Sequence, residues 1–237
     1  MFRSHFQAHL RSLILFAAAA AGLALAPAQA GNKKWTSEFP GENSFATSGD
    51  NYFLPLIPGL FQVLETPNHR VKVVVTVTDK TKIVDGADTR IVTEVEYHDG
   101  ALTEVTKNYE AISKKTNAVY YFGEYATQYK DGQVVGHSGS WLAGENGAQF
   151  GMLMPGVPLL GAKFLQENAA PIALDRSQII EEGVTIDTPA GALKNCLRVY
   201  DTDGLDKAAS PENKIYCHGI GNVVDEKLIV VKYGQKG

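Results

Sequence analysis

The sequence predicts a mainly β protein built on an antiparallel, strongly curved sheet or an open barrel. Apolar residues recur with a period of two over several stretches, which is typical of half-buried strands. Turn signals such as Asp-Gly separate these stretches at intervals of about ten residues. The 237-residue chain also shows no convincing long amphipathic helix between them. Short turns between strands favour antiparallel hairpins, because parallel strands need long crossover connections.

The first 30 residues have the organisation of a signal peptide. Arg3 and Arg11 accompany an apolar run, LILFAAAAAGLALA (13–26), and Ala28-Gln29-Ala30 follows as a small-x-small cleavage pattern. The run is shorter than the ~20 residues that a membrane-spanning helix needs. We therefore expect cleavage before Gly31, a periplasmic or secreted mature chain, and no integral membrane segment in it. The alternative is an uncleaved anchor.

The mature chain begins with a polar stretch and continues as a single β domain. Residues 31–50 are rich in Gly and Ser and predict an extended lead-in, and the β domain takes residues 51–237. In VKVVVTVTD (71–79), alternate valines share one face. Asp85-Gly86 then predicts a hairpin turn into RIVTEVEY (90–97), whose glutamates we expect to face solvent together with Glu104.

The later β segments follow the same alternation. Each lies next to a Gly-, Pro-, Asn- or Asp-containing turn. They are LTEVTKNYEA (102–111), VYYFGEY (119–125), QVVGHSGSW (133–141), FLQE (164–167), SQIIEE (177–182), VTID (184–187), ALKNCLRVYD (192–201), KIYCHG (214–219) and LIVVKYG (228–234).

One segment, GMLMPGVPLLGAKF (151–164), is unlike the rest. It is apolar, but its Gly and Pro residues suit neither a helix nor a regular central strand. We predict that it packs on the concave face of the sheet. Residues 163–174 are the best candidate for a short helix. The aromatic and Met side chains near this segment form either a filled core, which we favour, or the wall of a ligand cavity; these pocket candidates are Tyr120, Tyr121, Phe122, Trp141, Met152 and Met154.

The stretch YYFGEYATQYKDGQVVGHSGSWLAGENGAQFGMLMPG (120–156) resembles the signature block of an uncharacterised family of secreted bacterial proteins. That block contains YFGE, a short Asp/Asn-Gly hairpin, and GSW-x-AG-x-x-GA-x-x-G-x-x-M. NYFLPLIPG (51–59) and YCHGIGNVVDE (216–226) resemble further parts of the family. The sequence departs from the pattern at Lys107, Asn108 and Lys114, near positions where the family tends to be acidic. The resemblance implies an exported protein and assigns no activity.

The stretch GHSGSW (136–141) partly matches a hydrolase nucleophile elbow. The elbow requires G-x-S-x-G, and here Ser140 stands where the second glycine should be. The glycines that follow cannot form the helix of an elbow, so we predict a turn in which at least one of Gly139, Gly144 and Gly147 has a positive φ. A serine hydrolase using Ser138 and His218, with Asp201 or Asp203 between them in the chain, remains the alternative.

Three carboxylates, Asp201, Asp203 and Asp206, lie close together in one polar loop. Oxygen clusters of this kind bind calcium, although the spacing is not that of an EF-hand. A solvated loop is the first expectation, and a divalent-ion-binding envelope protein is a second alternative. No cofactor is predicted.

The two cysteines, Cys196 and Cys217, flank the same polar loop. If Tyr200 pairs with Asn213, paired positions sum to 413, and Cys196 then faces Cys217. Export would place them in an oxidising compartment. We therefore predict a disulfide.

The overall composition excludes one class of partner. The formal net charge is −4, and no Lys/Arg run exceeds two residues, so nucleic acid is not a predicted partner. The sequence predicts an exported, non-catalytic binding or structural protein. The ligand class that the apolar region favours is a small apolar or amphipathic molecule.

Overall fold

Fifteen strands form one antiparallel sheet in a computed structural model, which describes residues 44–206 and 208–236. No helix occurs within these ranges. The strands are β1 (Phe45–Ala46), β2 (Leu60–Glu65), β3 (Val71–Val84), β4 (Ala87–His98), β5 (Ala101–Ser113), β6 (Val119–Lys130), β7 (Gln133–Gly136), β8 (Trp141–Leu142), β9 (Gly151–Met154), β10 (Lys163–Leu165), β11 (Asp175–Thr188), β12 (Gly191–Asp203), β13 (Glu212–Cys217), β14 (Gly221–Asp225) and β15 (Leu228–Gln235).

The strand order is a meander in which the last strand returns to pair with an early one. It runs β10-β11-β12-β13-β14-β15-β2-β3-β4-β5-β6-β7, so the last strand, β15, pairs with β2. Strands β8 and β9 add to β6, and β1 adds to β5. An isolated bridge, in which the N–H of Gln149 donates to the carbonyl of Asn168 (2.9 Å), joins the segment before β9 to the segment after β10. The path itself ends at β10 and β7, which do not pair with each other, so the curved sheet is open and the predicted fold class is confirmed.

Three hairpin turns have the sequence Asp-Gly, and each takes a left-handed backbone at both residues. The φ values are 47° and 75° at Asp85-Gly86, 49° and 81° at Asp99-Gly100, and 52° and 75° at Asp131-Gly132. Turns of this kind match the right-handed twist of the flanking strands. These dipeptides therefore fix where β3, β4, β5, β6 and β7 reverse direction.

The apolar faces of the strands pack into the core. Val73 and Val77 are at most 8 % exposed, as the valine alternation in β3 predicts, and Val92 of β4, which pairs with Val77, is 4 % exposed. Phe122 and Met154 are also almost fully buried. This packing removes a large apolar area from water, which is the main favourable term in folding.

The Gly/Pro-rich segment 151–164 is arranged differently from the prediction. Its first four residues are strand β9, hydrogen-bonded to β6, so they extend the sheet instead of lying across it. Met154 and Phe164 do contribute to the core. The turn between them, residues 155–162, leaves Val157 and Leu159 exposed, because Pro155 and Pro158 cannot donate the hydrogen bonds that would continue a strand.

The short helix expected at 163–174 is wrong. Lys163–Leu165 is strand β10, and the N–H of Ala169 donates to the carbonyl of Ala173 in a tight turn that follows it. Pro171 lies within that turn, where its missing N–H is tolerated.

The predicted signal peptide and most of the predicted lead-in lie outside the described residues. Within the lead-in, Phe45–Ala46 forms strand β1 against the end of β5. In the described ranges, no helix is long and apolar enough to cross a membrane.

Candidate functional site

A cleft of about 280 Å³ opens beside Trp141, where the ends of several segments meet. Strands β6 and β8 form one wall, and the turns at 145–148 and 169–172 form the rest. The residues that line it are Glu124, Tyr125, Ser140, Trp141, Leu142, Glu145, Asn146, Ala148, Ala169, Ala170, Pro171 and Ile172. Its surface is mostly apolar, with acidic and amide groups at defined points.

Gly123 sets the geometry of this wall. Strand β8 pairs with β6 through Gly123–Leu142 and Glu124–Trp141. Gly123 has φ 118°, and a Cβ at this position would collide with the carbonyl oxygen of Trp141. Directly paired residues of antiparallel strands point to the same side. The close approach at Gly123 therefore brings Glu124 and Trp141 side by side into the cleft.

Trp141 is packed and hydrogen-bonded on its inner side. Its indole is 5 % exposed, and its Nε1–H donates to Glu167 Oε1 at 3.4 Å. The ring meets Tyr121 edge-on, with 5.4 Å between centroids. Such edge-to-face pairs add to the stabilisation that burial alone gives. Trp141 is therefore a rigid wall of the cleft.

Behind the cleft, Tyr121 connects two polar side chains. Its hydroxyl lies 2.6 Å from Asn108 Oδ1 and 2.9 Å from Glu124 Oε2. A phenol has one proton, so it can donate to only one of these acceptors at a time. When Tyr121 donates to Asn108, a protonated Glu124 completes the chain by donating to the phenolic oxygen. Burial raises the pKa of Glu124, which favours that protonated form.

Further carboxyl groups lie in the same interior. Burial, reinforced by the negative charge of Asp175, raises the pKa of Glu167 to about 8. Burial and the neighbouring Glu94 raise the pKa of Glu110 to about 8. Burial and Asp225 raise that of Glu94 to about 7. Glu94 pairs with Val75, on the face of β3 that carries the buried Val73 and Val77, so it faces inward although it is only half-buried. Its predicted solvent-facing position is wrong. The acidic interior is partly neutral at pH 7, because desolvation disfavours the charged forms.

Lys214 supplies positive charge within this interior. Its Nζ lies 3.2 Å from Asp201 Oδ2 and 3.6 Å from Asp225 Oδ2. Burial by itself lowers the pKa of Lys214, but the two carboxylates outweigh burial and raise it well above its ordinary value. Asp201 also accepts hydrogen bonds from Ser177 Oγ (2.6 Å) and Gln166 Nε2 (3.1 Å). Asp201 is therefore a fully engaged counterion of Lys214.

The predicted pocket residues divide into two groups. Trp141 lines the cleft, and Tyr121 contacts Trp141 from behind. Tyr120 and Phe122 instead pack against Phe45 in the core. The other two candidates, Met152 and Met154, pack in the core as well.

The residues of the two alternative sites are not brought together. Ser138 exchanges backbone hydrogen bonds with the Gln128 side chain, whereas His218 stacks on Tyr52 with 3.8 Å between ring centroids. In the described ranges, no hydrogen bond joins Ser138 to His218. Gly139, Gly144 and Gly147 all have positive φ (86°, 81° and 82°), as a turn requires.

The loop carboxylates point to separate partners. Asp201 faces Lys214, while Asp203 Oδ1 accepts from the N–H of Leu205 and Asp206 Oδ1 from that of Ala208. No group of three or more His, Cys, Asp or Glu side chains suited to a metal occurs in residues 44–206 and 208–236. Asp201 therefore neutralises a lysine, whereas Asp203 and Asp206 cap their own turns.

Cys196 and Cys217 form a disulfide, with 4.2 Å between their Cα atoms. Tyr200 pairs with Asn213, and the register between β12 and β13 is the expected one, with paired positions summing to 413. The bond joins β12 to β13 at the end of their pairing.

Comparison with known proteins adds distant structural similarities. No family model and no curated protein matches the chain. A proposed exported protein with a YmcC-like fold from Bacteroides fragilis is 12% identical, with a TM-score of 0.38; the match covers 78% of this chain and 100% of that one. A proposed lipoprotein from Parabacteroides distasonis is 10% identical, with a TM-score of 0.35 and the same coverage. Similarities this distant assign no function.

Proposed function

We propose that this protein is an exported, non-catalytic binding protein that holds a small amphipathic molecule in the cleft beside Trp141. The observation that carries the proposal is the cleft itself. It has a volume of about 280 Å³, a mostly apolar and rigid wall, and a carboxyl group at its inner side. Ligand sites have this composition, an apolar lining with a few placed polar groups. The signal-peptide pattern at residues 1–30 and the disulfide support export.

The polar groups of the cleft indicate one end of the ligand. Glu124 and Glu145 are the lining residues with carboxyl groups, and the lining includes no Lys, Arg or His. A ligand with an amine or another hydrogen-bond donor would pair with Glu124. Its apolar body would contact Trp141 and the turn at 169–172. A cation there would also favour the ionised form of Glu124 over the protonated one.

Binding of model ligands tests this proposal. Hexylamine and hexanol have the same apolar body and differ only at the polar end. Titrating the exported protein with each, followed by calorimetry, therefore separates the contribution of the polar end from that of the apolar body. We expect hexylamine to bind more tightly than hexanol at pH 7.5. Glu124→Gln should weaken hexylamine binding about tenfold, because it removes a charge-assisted hydrogen bond. It should change hexanol binding little, because the Gln carbonyl still accepts a hydrogen bond from a hydroxyl.

Glu181→Gln is the matched control, because Glu181 is exposed, pairs with Arg198 and does not line the cleft. It should bind both ligands as the unmodified protein does. Native mass spectrometry of protein purified from its own envelope should show a small bound molecule. If neither model ligand binds and no molecule copurifies, the binding proposal is wrong.

A further inference from the structure

The turn between β9 and β10 exposes large apolar side chains to solvent. Val157 is 74% exposed, Leu159 66% and Leu160 68%. Covering side chains of this size removes apolar area from water, which is favourable. Three such residues within four positions form a continuous apolar tip, which is typical of an interaction surface.

The turn is held in place by contacts at its base. The buried Asn51 donates through Nδ2 to the carbonyls of both Asn117 (2.7 Å) and Pro155 (3.1 Å). Gly156 lies so close to the carbonyl of Thr116 that a Cβ there would collide with it. At the far side, the N–H of Gly161 donates to the carbonyl of Ile179 at 2.8 Å. The exposure of the tip is therefore a property of the folded structure.

Positive charge lies next to this apolar tip. The contact between Gly156 and Thr116 places the turn beside the β5–β6 turn, where Lys114 and Lys115 are exposed. Lys163, also exposed, follows the tip in the chain. Asp50, next to Asn51, offsets part of this charge. The surface around the tip therefore carries several lysines, although the whole chain has a formal net charge of −4.

We infer that this turn inserts Val157, Leu159 and Leu160 into the surface of a lipid bilayer that contains anionic lipids. Apolar side chains in the headgroup region combined with neighbouring lysines are the chemistry by which proteins bind such surfaces without spanning them. A projecting tip suits a bilayer, because lipids rearrange around it and no complementary groove is needed. The inference is independent of the cleft and of any ligand that it holds.

Sedimentation with lipid vesicles tests the inference on protein purified after export. The vesicles contain either phosphatidylcholine alone or phosphatidylcholine mixed with phosphatidylglycerol. We expect binding to the mixed vesicles that weakens as salt is raised. Leu159→Ser/Leu160→Ser should weaken this binding at least about tenfold, because two apolar side chains are lost from the bilayer. Lys114→Gln should weaken it about fivefold, and only on the mixed vesicles.

Control variants remove similar groups elsewhere. Val134→Ser/Val135→Ser removes two exposed apolar side chains of β7, and Lys227→Gln removes an exposed lysine of the β14–β15 turn. Both should bind vesicles as the unmodified protein does, and thermal unfolding checks that every variant folds. Absence of binding to the mixed vesicles overturns the inference, as does equal binding by the leucine variant. A concentration-dependent dimer that the leucine variant abolishes, without vesicle binding, would assign the tip to a second copy instead.

Discussion

At the scale of single residues, Lys214 illustrates how a buried charge depends on its partners. Asp201 is 2% exposed at its side chain and Lys214 18%, so water screens their attraction weakly. Lys214→Met should lower the free energy of unfolding by about 3–5 kcal/mol, because it leaves Asp201 buried without its cation. Urea denaturation measures this change. Lys227→Met, at an exposed position, should change stability by less than about 0.5 kcal/mol.

A second variant separates the lost charge pair from lost packing. Lys214→Met combined with Asp201→Asn removes both charges and should recover part of the stability that the single variant loses. A double variant no more stable than Lys214→Met would show that packing, and not the unpaired carboxylate, dominates.

The inward position of Asp201 could have been found in the sequence. Leu197, Val199 and Asp201 alternate along β12 and are all at most 1% exposed. Extending the apolar alternation by one step places Asp201 on the buried face. The β segment predicted at 192–201 includes Asp201, whereas its grouping with Asp203 and Asp206 predicted a position in a solvated loop. The inward position of Glu94 was not predictable in this way, because Ile91, Val95 and Tyr97 alternate on the opposite face of β4. Only the register with β3, which pairs Glu94 with Val75, shows it.

At the scale of secondary-structure elements, the pairing of β8 with β6 depends on Gly123. Gly123→Ala should destabilise the protein by at least about 3 kcal/mol, because the new Cβ collides with the Trp141 carbonyl at a backbone conformation that suits only glycine. Gly132→Ala is the comparison, since a Cβ there meets nothing within 4 Å. That change should cost about 1–2 kcal/mol for its positive φ. Equal losses of stability in thermal unfolding would contradict this account of the close approach.

The disulfide is the covalent link between two elements, β12 and β13. Removing it with Cys196→Ala/Cys217→Ala should lower stability by about 3 kcal/mol, because the unfolded chain regains the freedom of the 21-residue separation that the bond closes. Denaturation with and without reductant measures the effect. The free energy of unfolding of the unmodified protein should fall in reductant, and that of the double variant should not. Two reactive thiols in unfolded, unreduced protein would show that the bond does not form.

The elements differ in how far the sequence predicts them. Asp-Gly turns and valine alternation predict β3, β4 and β5, because local backbone preference and burial agree there. Strand β2 (LFQVLE) carries no such alternation, because Leu60 and Phe61 are neighbouring apolar residues on opposite faces. Its place is fixed by pairing with β3 on one side and with β15, from the other end of the chain, on the other. The cleft was not predictable from the sequence either. Glu124 and Trp141 meet there because β6 pairs with β8, and no local pattern marks this two-residue strand.

At the scale of the whole molecule, the interior combines apolar clusters with a connected set of carboxyl groups. Glu94, Glu110 and Glu167 all have pKa values raised to about 7 or 8, chiefly by burial. A buried carboxylic acid is tolerated in its neutral form, whereas its ionised form needs a cation or solvent. Lys214 already serves Asp201 and Asp225. The stability of the fold is therefore coupled to proton uptake by this interior.

This coupling predicts a loss of stability at alkaline pH. A carboxyl group whose pKa is higher in the folded than in the unfolded chain contributes its full stabilisation below the unfolded pKa, near 4.5, and loses it as pH rises through the folded value. The free energy of unfolding should therefore fall by at least about 2 kcal/mol between pH 5 and pH 9. Glu110→Gln, which keeps the shape of the side chain and cannot ionise, should flatten the profile, whereas Glu182→Gln at an exposed position should not. Urea denaturation at a series of pH values measures both slopes, and a profile that rises or stays level from pH 6 to pH 9 would show that these carboxyl groups are ionised in the folded protein.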